Sequence, residues 1–336
     1  MGRITDDIIT KYKKYITIQK HPKYDLRIIN YTQEVQFGKL WDDFLLMARG
    51  LIIDSDGKII AKGFNKFFNL EELDINDIPN EPFEIFEKMD GSLGIYFYYN
   101  DEWIMATRGS FTSDQAIKGK QIADKYLKNV CVPGFVYLFE IIYPENRIVV
   151  DYNNDERLVL LSIIDPDGNE IPYDDILFDG WDIVNKYDGF KDYKTLKNII
   201  PNNAEGFVVR FKNGFRMKIK GEEYVRLHKV MTGLSNKLIW EHLKNDTISS
   251  LLELIPDESF DRVKGELYKF KTQWSNLYNN YVSIYSHIQT LNLTRKEFAY
   301  LVKQFKHPQI LFAMLDNKNF EPMLWDIIKP QEFKRL

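Results

Sequence analysis

The sequence predicts an α+β protein in two parts: a mainly antiparallel β domain with a few helices, followed by an all-α domain. Two observations carry this. Up to about Lys220, short β-branched and aromatic runs are cut by turn signals. After about Gly221 the apolar residues recur at period 3.6 and continue to do so. A length of 336 residues fits two domains better than one and is ample for a buried core. The expected domains are residues 1–235 and 236–336.

Taken in order, residues 51–54 read as a strand ending at the turn Ser55-Asp56-Gly57. Phe83, Ile85 and Phe86 precede Asp90-Gly91, and Leu93, Ile95, Phe97 and Tyr99 follow it. That alternation around an Asp-Gly pair predicts a hairpin with Lys88 at its mouth. A helix is predicted over 113–129, with a serine N-cap and Ala116, Ile117, Ile122, Ala123 and Tyr126 at helical spacing. Residues 135–143 and 159–164 read as strands, the second before Asp165-Pro166-Asp167-Gly168, and 177–187 reads as a helix. Residues 206–211 form a strand before Lys212-Asn213-Gly214, and 217–220 put Lys218 and Lys220 on one strand face. Leu238, Trp240, Leu243, Leu251, Leu252 and Leu254 then lead into a long helical segment at 259–291, followed by 295–306 and an apolar stretch at 310–315. Its aromatic residues, Tyr268, Trp274, Tyr278, Tyr281 and Tyr285, are expected in the core.

Composition narrows the function. Hydrophobic content of 44% and charged content of 28% are those of a soluble globular protein. A net charge of −4 gives no general pull toward nucleic acid, so such binding needs a local basic cleft. One cysteine, Cys131, excludes a disulfide framework and a Cys-based zinc site, and points to a reducing compartment. No apolar run is long enough to cross a membrane, and residues 1–14 lack a signal-peptide core, so the cytoplasm is expected. The five histidines are scattered, and no Gly-x-x-x-x-Gly-Lys-Ser/Thr run supports a P-loop enzyme.

The chemistry gathers around Glu87-Lys88-Met89-Asp90-Gly91-Ser92-Leu93. Further clusters are Ala48-Arg49-Gly50-Leu51, Asn65-Lys66-Phe67-Phe68-Asn69, Thr107-Arg108-Gly109-Ser110, Phe139-Glu140, Glu205-Gly206 and Met217-Lys218-Ile219-Lys220. Taken singly, each has an ordinary reading: surface arginines in ion pairs, a buried acid with a partner, lysines facing water. Together they fit one reaction. A lysine amine becomes a nucleophile when desolvation and nearby cations favour loss of its proton. Attack on a nucleoside triphosphate needs positive charge at the phosphates, which Arg49, Lys66, Lys218 and Lys220 provide. Glu140 suits a pair of sugar hydroxyls, and Glu205 suits a hydrated Mg²⁺.

In this order the clusters resemble the motifs of the covalent lysine–AMP nucleotidyltransferases. Within them the chain is similar, over roughly residues 25–230, to the ATP-dependent RNA ligases of the bacteriophage T4 RNA ligase 1 type. The specific pointers are Asp-Gly-Ser after Lys88, Ala48-Arg49-Gly50, Lys66-Phe67-Phe68-Asn69 and Pro144-Glu145-Asn146-Arg147-Ile148-Val149 after Glu140. The resemblance implies an antiparallel-sheet nucleotidyltransferase (ATP-grasp-like ligase) domain, with the helical domain contributing RNA specificity. It implies that Lys88, in a motif with Asp90 and Gly91, forms lysyl-AMP, and that Glu140 binds the ribose. It places Tyr31 and Tyr152 near the nucleotide, Arg49, Lys66, Lys218 and Lys220 on phosphates, and Glu205 on the metal. Phe68, Arg108 and Tyr224 match positions that matter for ligation, and Asp246 corresponds to a metal-binding acid in the helical domain. ATP is the implied co-substrate, with Mg²⁺ or Mn²⁺. The implied partner is RNA with 5′-phosphate and 3′-hydroxyl ends, such as a cleaved tRNA, joined by a monomer in the cytoplasm of a cell or of a phage host. The rivals are a non-catalytic binder of nucleic-acid ends, and a DNA ligase or capping-type guanylyltransferase. Those two enzymes follow the Lys-x-Lys strand with a β-barrel, where this sequence turns helical.

Overall fold

A computed structural model describes residues 2–127, 130–176, 182–231, 235–254 and 260–330. The chain divides into two units, residues 1–231 and 232–336. In the first, the β-branched runs pair as expected. β1 (Ile16–Lys20), β2 (Leu26–Tyr31), β3 (Arg49–Asp54) and β4 (Ile59–Ala61) form an antiparallel sheet in that order. One face of it packs on α1 (Asp6–Tyr12), α2 (Gln33–Gly38) and α3 (Asp43–Met47) through Ile16, Ile29, Val35, Leu45, Leu51 and Ile53.

Ten further strands follow: β5 (Phe68–Asn69), β6 (Phe83–Lys88), β7 (Ser92–Tyr99), β8 (Glu102–Thr107), β9 (Val136–Ile142), β10 (Arg157–Ile164), β11 (Asp182–Ile183), β12 (Lys186–Tyr187), β13 (Gly206–Phe211) and β14 (Arg216–Lys220). They build two five-stranded sheets, ordered β11-β10-β9-β7-β8 and β12-β6-β13-β14-β5. Both are antiparallel except for the edge pairings β10–β11 and β14–β5. α4 (Asp114–Tyr126), capped by Ser113 Oγ accepting from the Ala116 N–H at 3.2 Å, covers Tyr96, Met105, Phe139 and Ile141. The first sheet covers the other face of β7 and β9 through Ile28, Ile52, Ile95, Phe97 and Leu138. Burial on both faces explains why β9 reads as an almost unbroken apolar run, with Glu140 its one charged residue.

Two local expectations fail here. The runs flanking Asp90-Gly91 are strands, but not a hairpin: β6 pairs with β12 and β13, and β7 pairs with β8 and β9. A two-residue hairpin of the expected type needs positive φ at Asp90 and Gly91, and neither has it. The chain instead crosses from one sheet to the other directly after Lys88. Residues 182–187, expected within a helix, form β11 and β12, which complete the edges of the two sheets; residues 177–181 lie outside those described. Pairing with open edges outweighs a local period over so short a segment. The predicted helix over 113–129 is seen as Asp114–Tyr126, its last two residues lying outside those described.

α5 (Glu222–Met231) follows β14, and the second unit contains α6 (Asn236–Lys244), α7 (Ile248–Leu254), α8 (Phe260–Gln289), α9 (Arg295–Val302), α10 (Pro308–Leu315) and α11 (Glu321–Ile327). Its core joins Tyr281, Ile288, Phe298, Val302, Ile310 and Leu324, with Trp274, Tyr278 and Tyr285 against it. Tyr268, expected in that core, is 74% exposed, because α8 turns Leu267 and Phe270 inward instead. α11 went unread in the sequence. Among the described residues no helix is long and apolar enough to cross a membrane.

Gly206 shows how tightly β13 meets β14. It has φ +149°, and an added Cβ would lie 1.9 Å from the Ile219 carbonyl oxygen. Strain and clash together predict that Gly206→Ala loses about 3 kcal/mol or more of stability in denaturant unfolding.

Candidate active site

The site begins with strand register. β6, β13 and β14 align Lys88, Gly206 and Lys220 in one row, Phe86, Val208 and Lys218 in the next, and Glu84, Arg210 and Arg216 beyond. Because side chains alternate across a strand, residues two apart share a face, and Lys88, Phe86, Val208, Arg210 and Arg216 of these rows form the floor of a cleft. The opposite wall comes from β9, β10 and the segment after β10, with Arg49, Phe64 and Phe67 at one side. The cavity is about 220 Å³ and lies wholly within the first unit.

Glu205 precedes β13 and is buried. Its Oε2 accepts from Lys88 Nζ at 2.8 Å and its Oε1 lies 3.3 Å from Lys220 Nζ. Burial pushes the Glu205 carboxyl up, but Lys88, Lys220 and Lys218 outweigh it and hold the group below the usual carboxylate range. The sequence suggested cations around Lys88. The structure adds a carboxylate in direct contact, so the resting amine is one half of an ion pair.

Glu140 faces the same cleft from β9. Burial pushes its carboxyl up to about 8; Lys88 opposes this, and Glu205 and Asp90 reinforce it. This favours the protonated form, which can donate a hydrogen bond. Gly91 makes this closeness possible, since a Cβ there would lie 2.6 Å from the Ile141 carbonyl and 3.1 Å from Glu140 Cγ.

Asp90 points away from the cleft and is 4% exposed. Its Oδ2 accepts from the Val149 and Val150 N–H groups at 2.9 and 2.8 Å, and its Oδ1 accepts from the Tyr224 hydroxyl at 2.8 Å. The Asp90 N–H in turn donates to the Tyr152 hydroxyl at 2.8 Å. Asp90 of the nucleophile motif, Tyr152, expected near the nucleotide, and Tyr224, expected to matter for ligation, thus anchor the loop that follows Lys88. The Tyr224 ring also lies under Lys220 Nζ at 5.5 Å.

Lys66, Phe68 and Tyr31 gather around Trp41 rather than lining the cleft. Lys66 Nζ is 5.9 Å from the Trp41 ring and 5.3 Å from that of Phe68, and Tyr31 meets Trp41 edge-on at 4.9 Å. Trp41 is a member the sequence reading missed, and a lone tryptophan after a short helix carries no signal for it. Phe86 and Val208 were also missed, although their spacing of two from Lys88 and Gly206 places them on the same face. Arg108 sits in the turn after β8, with backbone packed against Gly50 beside Arg49. Asp246 belongs to the second unit, exposed and with φ +54°. No group of three or more His, Cys, Asp or Glu is assembled among the described residues. Both Glu205 oxygens are turned to lysines, at 2.8 and 3.3 Å, and its side chain is 5% exposed.

Residues 47–224, more than half of the chain, match the RNA ligase family of the T4 RNA ligase 1 type, and the chain belongs to that family. It is 25% identical over 262 residues to a candidate bifunctional polynucleotide kinase/RNA ligase of Autographa californica nuclear polyhedrosis virus, a match covering 68% of this chain and 37% of that protein. It is 27% identical over 207 residues to a candidate RNA ligase of Thermovibrio ammonificans, covering 56% and 54%. An RNA ligase of Rhodothermus phage RM378 is 22% identical, covering 87% of this chain and 85% of that one. The chain thus spans about half or less of the length of the first two relatives.

The Glu140 carboxyl binds its proton more tightly folded than unfolded, so folding stability falls as pH rises from about 4.5 toward 8. Thermal unfolding of the nucleotide-free protein should show this decline, and Glu140→Gln should flatten it. Asp90→Ala strands two backbone N–H groups and a tyrosine hydroxyl, predicting a loss of about 3 kcal/mol or more in denaturant unfolding.

Proposed function

We propose that this chain is an ATP-dependent RNA ligase whose nucleophile is Lys88. The observation that carries the reading is the cluster of Lys88, Glu205 and Lys220, with Lys88 and Glu140 at one end of a cleft whose floor continues apolar. First, Lys88 Nζ attacks the α-phosphorus of ATP; an N–P bond forms, the bond to the β-phosphate oxygen breaks, and pyrophosphate leaves. The AMP then passes to the 5′-phosphate of an RNA end, restoring the lysine. A 3′-hydroxyl attacks that activated phosphate, forming the phosphodiester and releasing AMP.

Lys218 and Lys220 offset the charge that develops on the triphosphate, and Glu140 hydrogen-bonds a ribose hydroxyl. Glu205 would hold Mg²⁺ or Mn²⁺ through its waters, the metal supplying further neutralisation of the phosphates. Lys88 must pass its ammonium proton on before attack, and the Glu205 carboxylate at 2.8 Å is the group placed to receive it. Asp90, Tyr152 and Tyr224 keep the loop behind Lys88 fixed through these steps. Lys66 in its aromatic box, Arg49 and Arg108 stand ready for RNA phosphates, which orient the strand and supply much of its affinity. We take the substrate to be paired RNA ends such as a cut tRNA loop, joined by a monomer in the cytoplasm, with the helical unit reading RNA shape. The helices after β14 favour this over a DNA ligase or capping enzyme.

Incubation with Mg²⁺ and α-labelled ATP, GTP or NAD, followed by a denaturing gel, tests the reading. Label from ATP should stay on the wild-type chain and be absent from Lys88→Ala. Lys218→Ala and Lys220→Ala should each slow labelling by about 100-fold or more. Label from GTP alone would indicate a capping-type enzyme, and no label at all an end-binding protein.

A further inference from the structure

The cleft continues past the Lys88 row to a far end that the reaction above does not use. The row Glu84–Arg210–Arg216 lies four residues along the strands from Lys88, about 13 Å away. The intervening surface is apolar, formed by Phe86, Val208, Leu161 and Val184. Over the far end stand Ser162 of β10 and Glu170. The turn at 165–168 brings these two together: Asp165 Oδ1 accepts from the Asp167 and Asn169 N–H groups, and Glu170 returns to pair with Ile164.

The hydrogen bonding at this end is asymmetric. Glu170 Oε1 accepts from Arg216 Nη1 at 2.9 Å, and Oε2 accepts from Arg216 Nη2 and from the Ser162 hydroxyl at 3.1 Å. Arg210 Nη2 lies 3.7 Å away, outside hydrogen-bond range. A carboxylate has about four acceptor positions, so one remains, on Oε1. Ser162 gives its proton to Glu170, which leaves its oxygen as an acceptor. The Arg216 fork is closed on Glu170 and its guanidinium lies 4.8 Å from the Phe64 ring. The far end therefore offers acceptors and commits the Arg216 fork to Glu170, while Arg210 stands beside them, 3.6 Å from Glu84 and 3.7 Å from Glu170. Adenine presents an amino donor where guanine presents a carbonyl acceptor, and a free arginine fork is the usual partner of the guanine edge.

We propose that Glu170, supported by Ser162, selects the nucleobase: it accepts a hydrogen bond from the adenine amino group and keeps Arg216 from serving guanine. This rests on the proposed function, because the base must lie along the apolar floor while its α-phosphate meets Lys88. Removing the carboxylate takes away the adenine contact and opens donors to guanine at once. A purely structural Glu170 would affect both nucleotides alike.

The test measures initial rates of self-labelling with α-labelled ATP and GTP for the wild type, Glu170→Gln and Glu170→Asp. The Asp variant keeps a carboxylate for Arg216 but draws it back from the base, so it decides the matter if the Gln variant fails to fold. The wild type should prefer ATP, and each folded variant should lower the ATP/GTP rate ratio by about 10- to 100-fold. An unchanged ratio, with both rates falling together, would overturn the selector role while leaving the ligase reading intact. A wild type labelled by neither nucleotide would remove the proposed function and this inference with it.

Discussion

Two lysines share one buried carboxylate in this protein, and much of the first unit is arranged around that contact. Glu205 is taken out of water between Lys88 and Lys220, and a buried charge is tolerable only when partners meet it at close range. The partners come from β6 and β14, so the register of three strands must be held to the residue. Gly206, opposite both lysines, allows the close approach of backbone that this requires. A slip of one residue in β6 or β14 would send its lysine to the wrong face.

The same constraint explains the path of the chain after Lys88. Since β6 is committed to β13, the chain cannot fold back as a hairpin and passes to the neighbouring sheet, opening the cleft between the two. Asp90 fixes that crossing by accepting from the Val149 and Val150 N–H groups and the Tyr224 hydroxyl. The lysine is thus mobile only at its side chain, on a backbone held from both sides. Glu140 is the counterpart on the opposite wall, its carboxyl pushed up by burial while the Glu205 carboxyl is held down by its lysines. Two neighbouring glutamates are thus shifted in opposite directions by their surroundings.

The chemistry-bearing residues were legible in the sequence because alternation and motif spacing are local. Lys88 at a strand end, Glu140 in an apolar run, and Lys218 with Lys220 on one face could be read from neighbours alone. What could not be read depends on partners distant in the chain. The pairing of β6 with β13, nearly 120 residues on, overrides the Asp-Gly hairpin signal. The strands at 182–187 exist because two sheet edges are open beside them. Trp41 meets Tyr31, Lys66 and Phe68 through the fold of the first unit, and Glu170 meets Arg216 across the cleft. The helical unit was legible from its period, but Tyr268 was not, since period alone leaves open which flank of a face is covered.

The central claim is that Glu205 holds Lys88 as an ion pair. The most direct measurement is the acetylation rate of Lys88, followed by peptide mass spectrometry without nucleotide, in wild type and Glu205→Gln. Lys88 should react slowly in the wild type and clearly faster in the variant. Equal rates in the two proteins would contradict the account.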